Sequence, residues 1–261
     1  MNPFPINHDL HVHTTLSSCC EDPELTSEYI FNYATKHNYD RLAITNHYWD
    51  ASVPGAIGWY APQDLDHIKK LLPLPDGGST RFLFGCETEY CGGTKIGIPA
   101  ECYNAFDFII VPLNHFHMKG FVRPEDYETS EERAELFTSR LEQLCEIGLP
   151  WHKVGIAHIN CRHMGDVPRI LELVPESRIR NVFRYLGANG TGIELSGSSF
   201  SPGWKDNADS ILRLFKIAQE EKCKFYCGSD AHIREGLDSV ANIREVADLL
   251  GLTEDDLFIP S

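Results

Sequence analysis

The chain of 261 residues has no apolar run long enough to cross a bilayer. Its opening residues, MNPFPINHDL, lack the basic start and apolar stretch of a secretory signal, so a soluble, cytoplasmic protein is expected. Positive charge is also short. There are 23 Lys+Arg against 38 Asp+Glu, for a formal net charge of -15. Sequence-independent grip on a nucleic-acid backbone needs a basic surface, so nucleic acid is not an expected partner. A small phosphorylated substrate stays open, because bound cations reverse the local sign of the field. The nine cysteines are odd in number and form no CxxC pair, which points to buried, reduced thiols and not to a disulfide scaffold. Neither Ser196 nor Ser198 sits in a GxSxG elbow, and Cys19 and Cys20 have no evident oxyanion element. A serine or cysteine nucleophile therefore has little support. Repeats and low-complexity tracts are absent too.

What is present is a rhythm. Short apolar runs rich in β-branched or aromatic residues recur at 6–12, 41–45, 81–85, 108–113, 154–157, 192–195 and 224–228. Helical patterns lie between most of them. Residues 27–37 carry Tyr29, Ile30, Tyr33 and Ala34 at helical spacing behind a Thr/Ser start. Thr129-Ser130-Glu131-Glu132 opens another helix with capping-box chemistry, running to Ile147 before Gly148 and Pro150 end it. Residues 206–222 and 237–250 read similarly. About seven strands alternating with helices predict an α/β fold with a parallel sheet, and the length suffices to close it into a barrel. One domain over residues 1–261 is expected. The Pro/Gly-rich stretches 49–62 and 72–80, with 119–127, should be irregular.

The polar residues fall at one place in this rhythm. In Asp9-Leu10-His11-Val12-His13-Thr14 an extended strand turns His11 and His13 to one face, near a strand end. Alone, an HxH pair is a weak signal. Later strands add to it: Asn46-His47 follows the second, Cys86-Glu87 the third, and Asn114-His115-Phe116-His117 the fourth. His158 follows the fifth, Glu194 lies in the sixth, and the last runs into Gly228-Ser229-Asp230-Ala231-His232. In barrels the C-terminal strand ends converge on one mouth, where active sites form. His, Asp and Glu are ligands for zinc, manganese and iron, and about eight of them exceed the needs of one tetrahedral site. Two or three divalent ions are implied, with Glu87 the candidate bridge. Clustered metals suit phosphoester hydrolysis, since they bring a shared water toward a pKa of ~7 and neutralise charge on the oxygens.

DLHVHT, TNH, GCE, the His after DFIIVPLN, GIAH, the IEL strand and GSDAH appear in this order over residues 6–232. This set resembles the polymerase-and-histidinol-phosphatase (PHP) family. The resemblance implies a distorted (β/α)7 barrel related to the TIM barrel, with a metal cluster, often trinuclear, at its mouth, and phosphoester hydrolysis. It assigns His11, His13, Glu87 and Asp230 to one metal, Glu87, His115 and His158 to a second, and His47 with His232 to a third. Glu87, Asp230 and His232 would carry the catalysis. Three positions depart from or test the family pattern. Asn46 stands where the family usually has Asp. Ser18 and Cys19 stand where many members supply a further ligand, so the third site is either assisted by the Cys19 thiolate, completed by Asp22, or weak. His115 is preferred to His117 as ligand, leaving His117 free to face substrate. Arg162, His163 and Glu194 are further substrate-side candidates, with Lys119 and Arg123 behind them. The length and the helix near 129–147 are similar to stand-alone histidinol-phosphatase-like members, which favours a small phosphomonoester. A nuclease or nucleotide phosphoesterase, and a non-catalytic metal-stabilised module, are the alternatives.

Overall fold

The computed structural model describes residues 2–76, 78–200 and 202–261. Seven strands form the main path of one sheet: β1 His8–Val12, β2 Arg41–Ile44, β3 Arg81–Thr88, β4 Phe108–Val111, β5 Val154–Ile156, β6 Gly192–Ser196 and β7 Lys224–Gly228. Each pairs in parallel with the next in chain order. The seam between first and last strands closes just past their ends, where Asp230 N donates to His11 O (2.8 Å) and His13 N to Ala231 O (3.1 Å). The result is a nearly closed barrel of parallel strands, as the alternation predicts, with the distorted (β/α)7 form that the resemblance implies.

β3 runs three residues beyond the expected stop at Gly85. A two-residue strand, His47–Tyr48, pairs with its end and sets His47 opposite Glu87. The added ladder thus places two of the expected ligands side by side. Inside the barrel, Leu10, Ala43, Leu83, Phe108, Ile110, Ala157, Tyr226 and Phe258 form a small buried cluster, while the larger core lies between sheet and helices. Gly155 has to be glycine here. A Cβ would stand 2.5 Å from Tyr226 Oη and 2.7 Å from Phe108 Cζ.

The helices longer than one turn are α1 Ser27–Lys36, α2 Ser130–Leu144, α3 Val167–Leu173, α4 Glu176–Ala188, α5 Ala208–Glu220 and α6 Ile243–Leu250. The capping box predicted at Thr129 and Glu132 is formed. Stretch 237–250 is only half α-helix, because Arg234–Asn242 winds as a 3₁₀ segment before α6. α3 and α4 were not expected. Asp166 caps α3 with Pro168 in its first turn, and Pro175 leads directly into α4. Residues 49–62 and 119–127 are largely turns, and Gly77 of the 72–80 stretch lies outside the described residues. All nine cysteines are free, and among the described residues no helix is long and apolar enough to cross a membrane.

β1 is tied to β7 by buried polar groups. His8 Nε2 accepts from Cys227 N (2.9 Å), and burial, with Arg41 nearby, lowers the His8 pKa to about 3. Unfolded, this group titrates near 6.5, so the unfolded chain binds more protons between those two values. Stability should therefore fall as pH drops from about 6.5 toward 3, by up to about 1.4 kcal/mol per unit from this residue. Urea melts of wild type and His8→Gln across that window test this. The variant's stability should be less pH-dependent, and an identical slope in both proteins would rule His8 out as the cause.

Candidate metal centre

Asp9 Oδ1 accepts from His11 N (3.1 Å) and Ser229 N (3.0 Å), which fixes the end of β1 against the end of β7. This brings His11, His13, Glu87 and Asp230 to one point from three strand ends. His11 Nε2 lies 3.2 Å from His13 Nε2, 3.5 Å from Glu87 Oε1 and 3.4 Å from Asp230 Oδ1. His13 Nε2 lies 3.3 Å from both Glu87 Oε2 and Asp230 Oδ1. His11, His13 and Glu87 are fully buried.

Tracing the protons decides what this cluster is. His11 Nδ1 is 2.7 Å from Glu194 Oε1, a carboxylate that can only accept, so the ring proton sits on Nδ1. Ser17 Oγ donates to Asn46 Oδ1 (3.0 Å) and so accepts from His13 Nδ1, 2.9 Å away, as well as from His47 N (3.1 Å). Asn114 donates its Nδ2 to His158 O (2.8 Å), which turns its Oδ1 to accept from His158 Nδ1 (3.2 Å). Each of these rings therefore commits Nδ1 outward and turns Nε2 toward the other rings and the carboxylate oxygens. Without a cation between them that is repulsive, and burial makes it costly. Their spacing is the further clue. Tetrahedral zinc with 2.0–2.1 Å arms sets neighbouring ligand atoms about 3.3–3.4 Å apart. The donor set and its spacing fit a divalent metal.

The field says the same. Burial opposes a charge on His11, yet the carboxylates of Glu194, Glu87 and Asp230 outweigh it and hold its pKa well above the usual value. Burial pushes Glu87 and Asp230 up, but the surrounding histidines hold both well below the carboxylate range. A site that stabilises positive charge this strongly stabilises a metal ion in the same way.

Glu87 is the hub. Its two oxygens reach His11, His13, His47 Nδ1 (2.9 Å) and His158 Nε2 (3.3 Å). Beyond it lie two further donor groups, His13 with His47 and His232, and His115 with His158 and Cys161. Two of these residues hold backbone conformations that side chains rarely adopt, Asp230 at φ 54° and His158 at φ 24°. Both follow strand ends, where the chain must turn sharply to aim a ligand inward.

Most of the expected residues meet here, with four corrections. Asp22 is not part of the third group. Its carboxylate takes Arg234 Nε (2.9 Å) and Arg234 N (3.0 Å). Cys19 borders the cavity, but its sulfur is not among the converging donors, and burial with Glu87 and Asp230 pushes its thiol up, away from thiolate. His13 completes that group instead. Glu194 does not face substrate either. It is fully buried behind His11, bonded to His11 Nδ1 and to His158 N, and a Cβ on Gly228 would stand 1.9 Å from its Oε1. Finally, the His115 ring nitrogen Nδ1 is held by Glu89, with Glu87 further off. Glu89 also accepts from Tyr60 Oη (3.1 Å). The sequence reading missed Glu89 and Cys161. Strand alternation puts Glu89 on the face of Glu87, so its signal was there once β3 is known to run past Gly85.

A cavity of about 900 Å³ opens over the cluster. His115, His158, Asp230 and His232 line it on the side of the cluster, and His117, Arg162 and His163 also border it. Trp59, Trp204 and Ile233 supply apolar surface.

No family model matches the chain. A protein of Syntrophotalea carbinolica named probable phosphatase is 25% identical over 250 residues, covering 95% of this chain and 90% of its own length. Among solved structures, histidinol phosphate phosphatase of Lactococcus lactis, complexed with zinc, L-histidinol and phosphate, superimposes with TM-score 0.60 at 15% identity, covering 94% of each chain. A structure from Listeria monocytogenes, named as a candidate histidinol phosphatase, gives TM-score 0.58 at 14% identity over 88% of this chain and 97% of its own. In fold, the chain is of the histidinol-phosphate-phosphatase kind.

Proposed function

We propose that the protein is a metal-dependent phosphatase of the PHP type, hydrolysing a small phosphomonoester at a cluster of two or three divalent ions, zinc foremost among zinc, manganese and iron. The observation that carries this is the convergence of histidine Nε2 atoms and carboxylates at metal-ligand spacing beneath an open cavity. The curated relative's name and the zinc and phosphate in the Lactococcus structure support it. His11, His13, Glu87 and Asp230 would hold one ion, His115 and His158 with Cys161 beside them a second, and His47 and His232, next to His13, a third. Divalent ions there would supply Lewis acidity, drawing a water toward deprotonation near neutral pH and neutralising phosphoryl charge.

The protein's own groups do the positioning. Glu194, Ser17 and Asn114 fix the tautomers of His11, His13 and His158, so that each presents a lone pair without reorganising. His232 commits Nδ1 to Asp230 O (3.0 Å), which leaves the Nε2 lone pair for the site. Tyr60 and Glu89 seal one side of the cluster from water.

The test uses protein stripped with chelator and reloaded with zinc, manganese or iron. The probes are p-nitrophenyl phosphate, its bis ester, short oligonucleotides and histidinol phosphate. Metal-dependent hydrolysis of monoesters, with little on the diester, is expected. Preference for diester or oligonucleotide would favour a nuclease, and tight metal binding without turnover a structural module.

A further inference from the structure

We infer that the substrate carries a second anionic group on its leaving portion, and that Arg162 is the side chain that selects it. The inference rests on the phosphatase reading and concerns the part of the substrate that faces the cavity wall. Asp230 is the one carboxylate on the lining of the cavity among the described residues, and it belongs to the metal cluster. Arg162 is the one lysine or arginine there.

The nearby cations are already spent. Lys119 is bound by Glu125 and Glu128, Arg123 by Glu128 and the carbonyls of Phe116 and Tyr127, and Arg234 by Asp22 and Glu24. Among the described residues Arg162 makes no ion pair and no side-chain hydrogen bond, and it is exposed. It sits on the turn Arg162–Met164, four residues past His158, so the chain that delivers a ligand to the cluster also delivers a guanidinium to the cavity lining. The next residue, His163, lies with its ring 4.1 Å from that of His117 and 6.0 Å from that of His115. The turn thus lies beside His115, at the edge of the cluster.

A phosphoryl group bound at the cluster leaves the rest of the ester against this lining. An ammonium there would face a metal cluster below, Arg162 beside it and no carboxylate to neutralise it. A carboxylate or second phosphate would meet the planar fork of Arg162 in its preferred bidentate geometry. The selection therefore falls to Arg162.

Three probes of one size separate charge from shape: 4-carboxyphenyl, 4-carbamoylphenyl and 4-(aminomethyl)phenyl phosphate, assayed with metal-loaded enzyme. The carboxylate should exceed its neutral carbamoyl isostere in kcat/KM by about fivefold to tenfold, chiefly through KM, with the amine lowest. Arg162→Gln should erase the preference and Arg162→Lys should keep part of it. Calorimetry with 4-hydroxybenzoate against 4-hydroxybenzamide reads the same contact without turnover, and the benzoate advantage should vanish in Arg162→Gln. Equal kcat/KM for all three probes, a preference for the amine, or an unchanged preference in Arg162→Gln would overturn the inference while the phosphatase reading stands. Hydrolysis of none of the three would overturn both.

Discussion

Replacing Glu87 with alanine should lower turnover by about three orders of magnitude or more, against about 10–100-fold for His47→Ala. The difference follows from what each side chain touches. Glu87 reaches four imidazoles, His11, His13, His47 and His158, at 2.9–3.5 Å, so its loss removes the counter-charge shared by every donor group. His47 meets Glu87 through one nitrogen and stands at the rim of the group it shares with His13 and His232. Bound metal per chain and turnover are measured side by side, with thermal melts to show that both variants fold. Equal metal content and unimpaired turnover in Glu87→Ala would exclude it as the bridge.

The second large effect is expected at a residue that does not face the cavity. Glu194→Gln should weaken metal binding by about 10–100-fold. One carboxylate oxygen accepts from His11 Nδ1 and the other from His158 N, so both must be acceptors. An amide supplies one. In either orientation its NH₂ meets a donor, in a site with no water-exposed surface to relieve it. The imidazole that loses its partner no longer holds its tautomer. Competition with a chelating dye gives the affinity, and turnover at saturating metal should largely recover. Unchanged affinity would show that the tautomer of His11 is fixed by something else.

Much of this was legible in the sequence, for a physical reason. Strand identity is a local property of apolar runs, and in a parallel barrel every strand's C-terminal end lies at the same mouth. Position along the chain therefore translated into position in space for His11, His13, Glu87, His158 and Asp230. Depth did not translate. Glu194 points into the barrel as alternation requires, yet it lies beneath His11, one layer below the cavity. Partners far apart in sequence did not translate either. Asp22 looked available as a ligand because its captor, Arg234, is 212 residues away. Cys161 reached the cluster through a turn after β5 whose path no periodicity encodes. The helices α3 and α4 were hidden by Pro168 and Pro175, which read as breaks but here mark helix starts.

The seam between β1 and β7 sets the order in which the protein can mature. His11 and Asp230 come from the first and last barrel strands, and the hydrogen bonds that align them, His13 N to Ala231 O and Asp230 N to His11 O, cross that seam. During synthesis the ribosome releases the opening histidines long before their carboxylate partner, so a complete four-donor site exists only once the last strand is out and docked. An ion held there then fastens the two ends of the barrel as a cross-link would, closing a loop of more than two hundred residues, the length at which such a clasp removes most freedom from the unfolded chain. Under the proposed function, loading with metal would be the final act of assembly, and the loaded protein would be one whose ring has been locked shut.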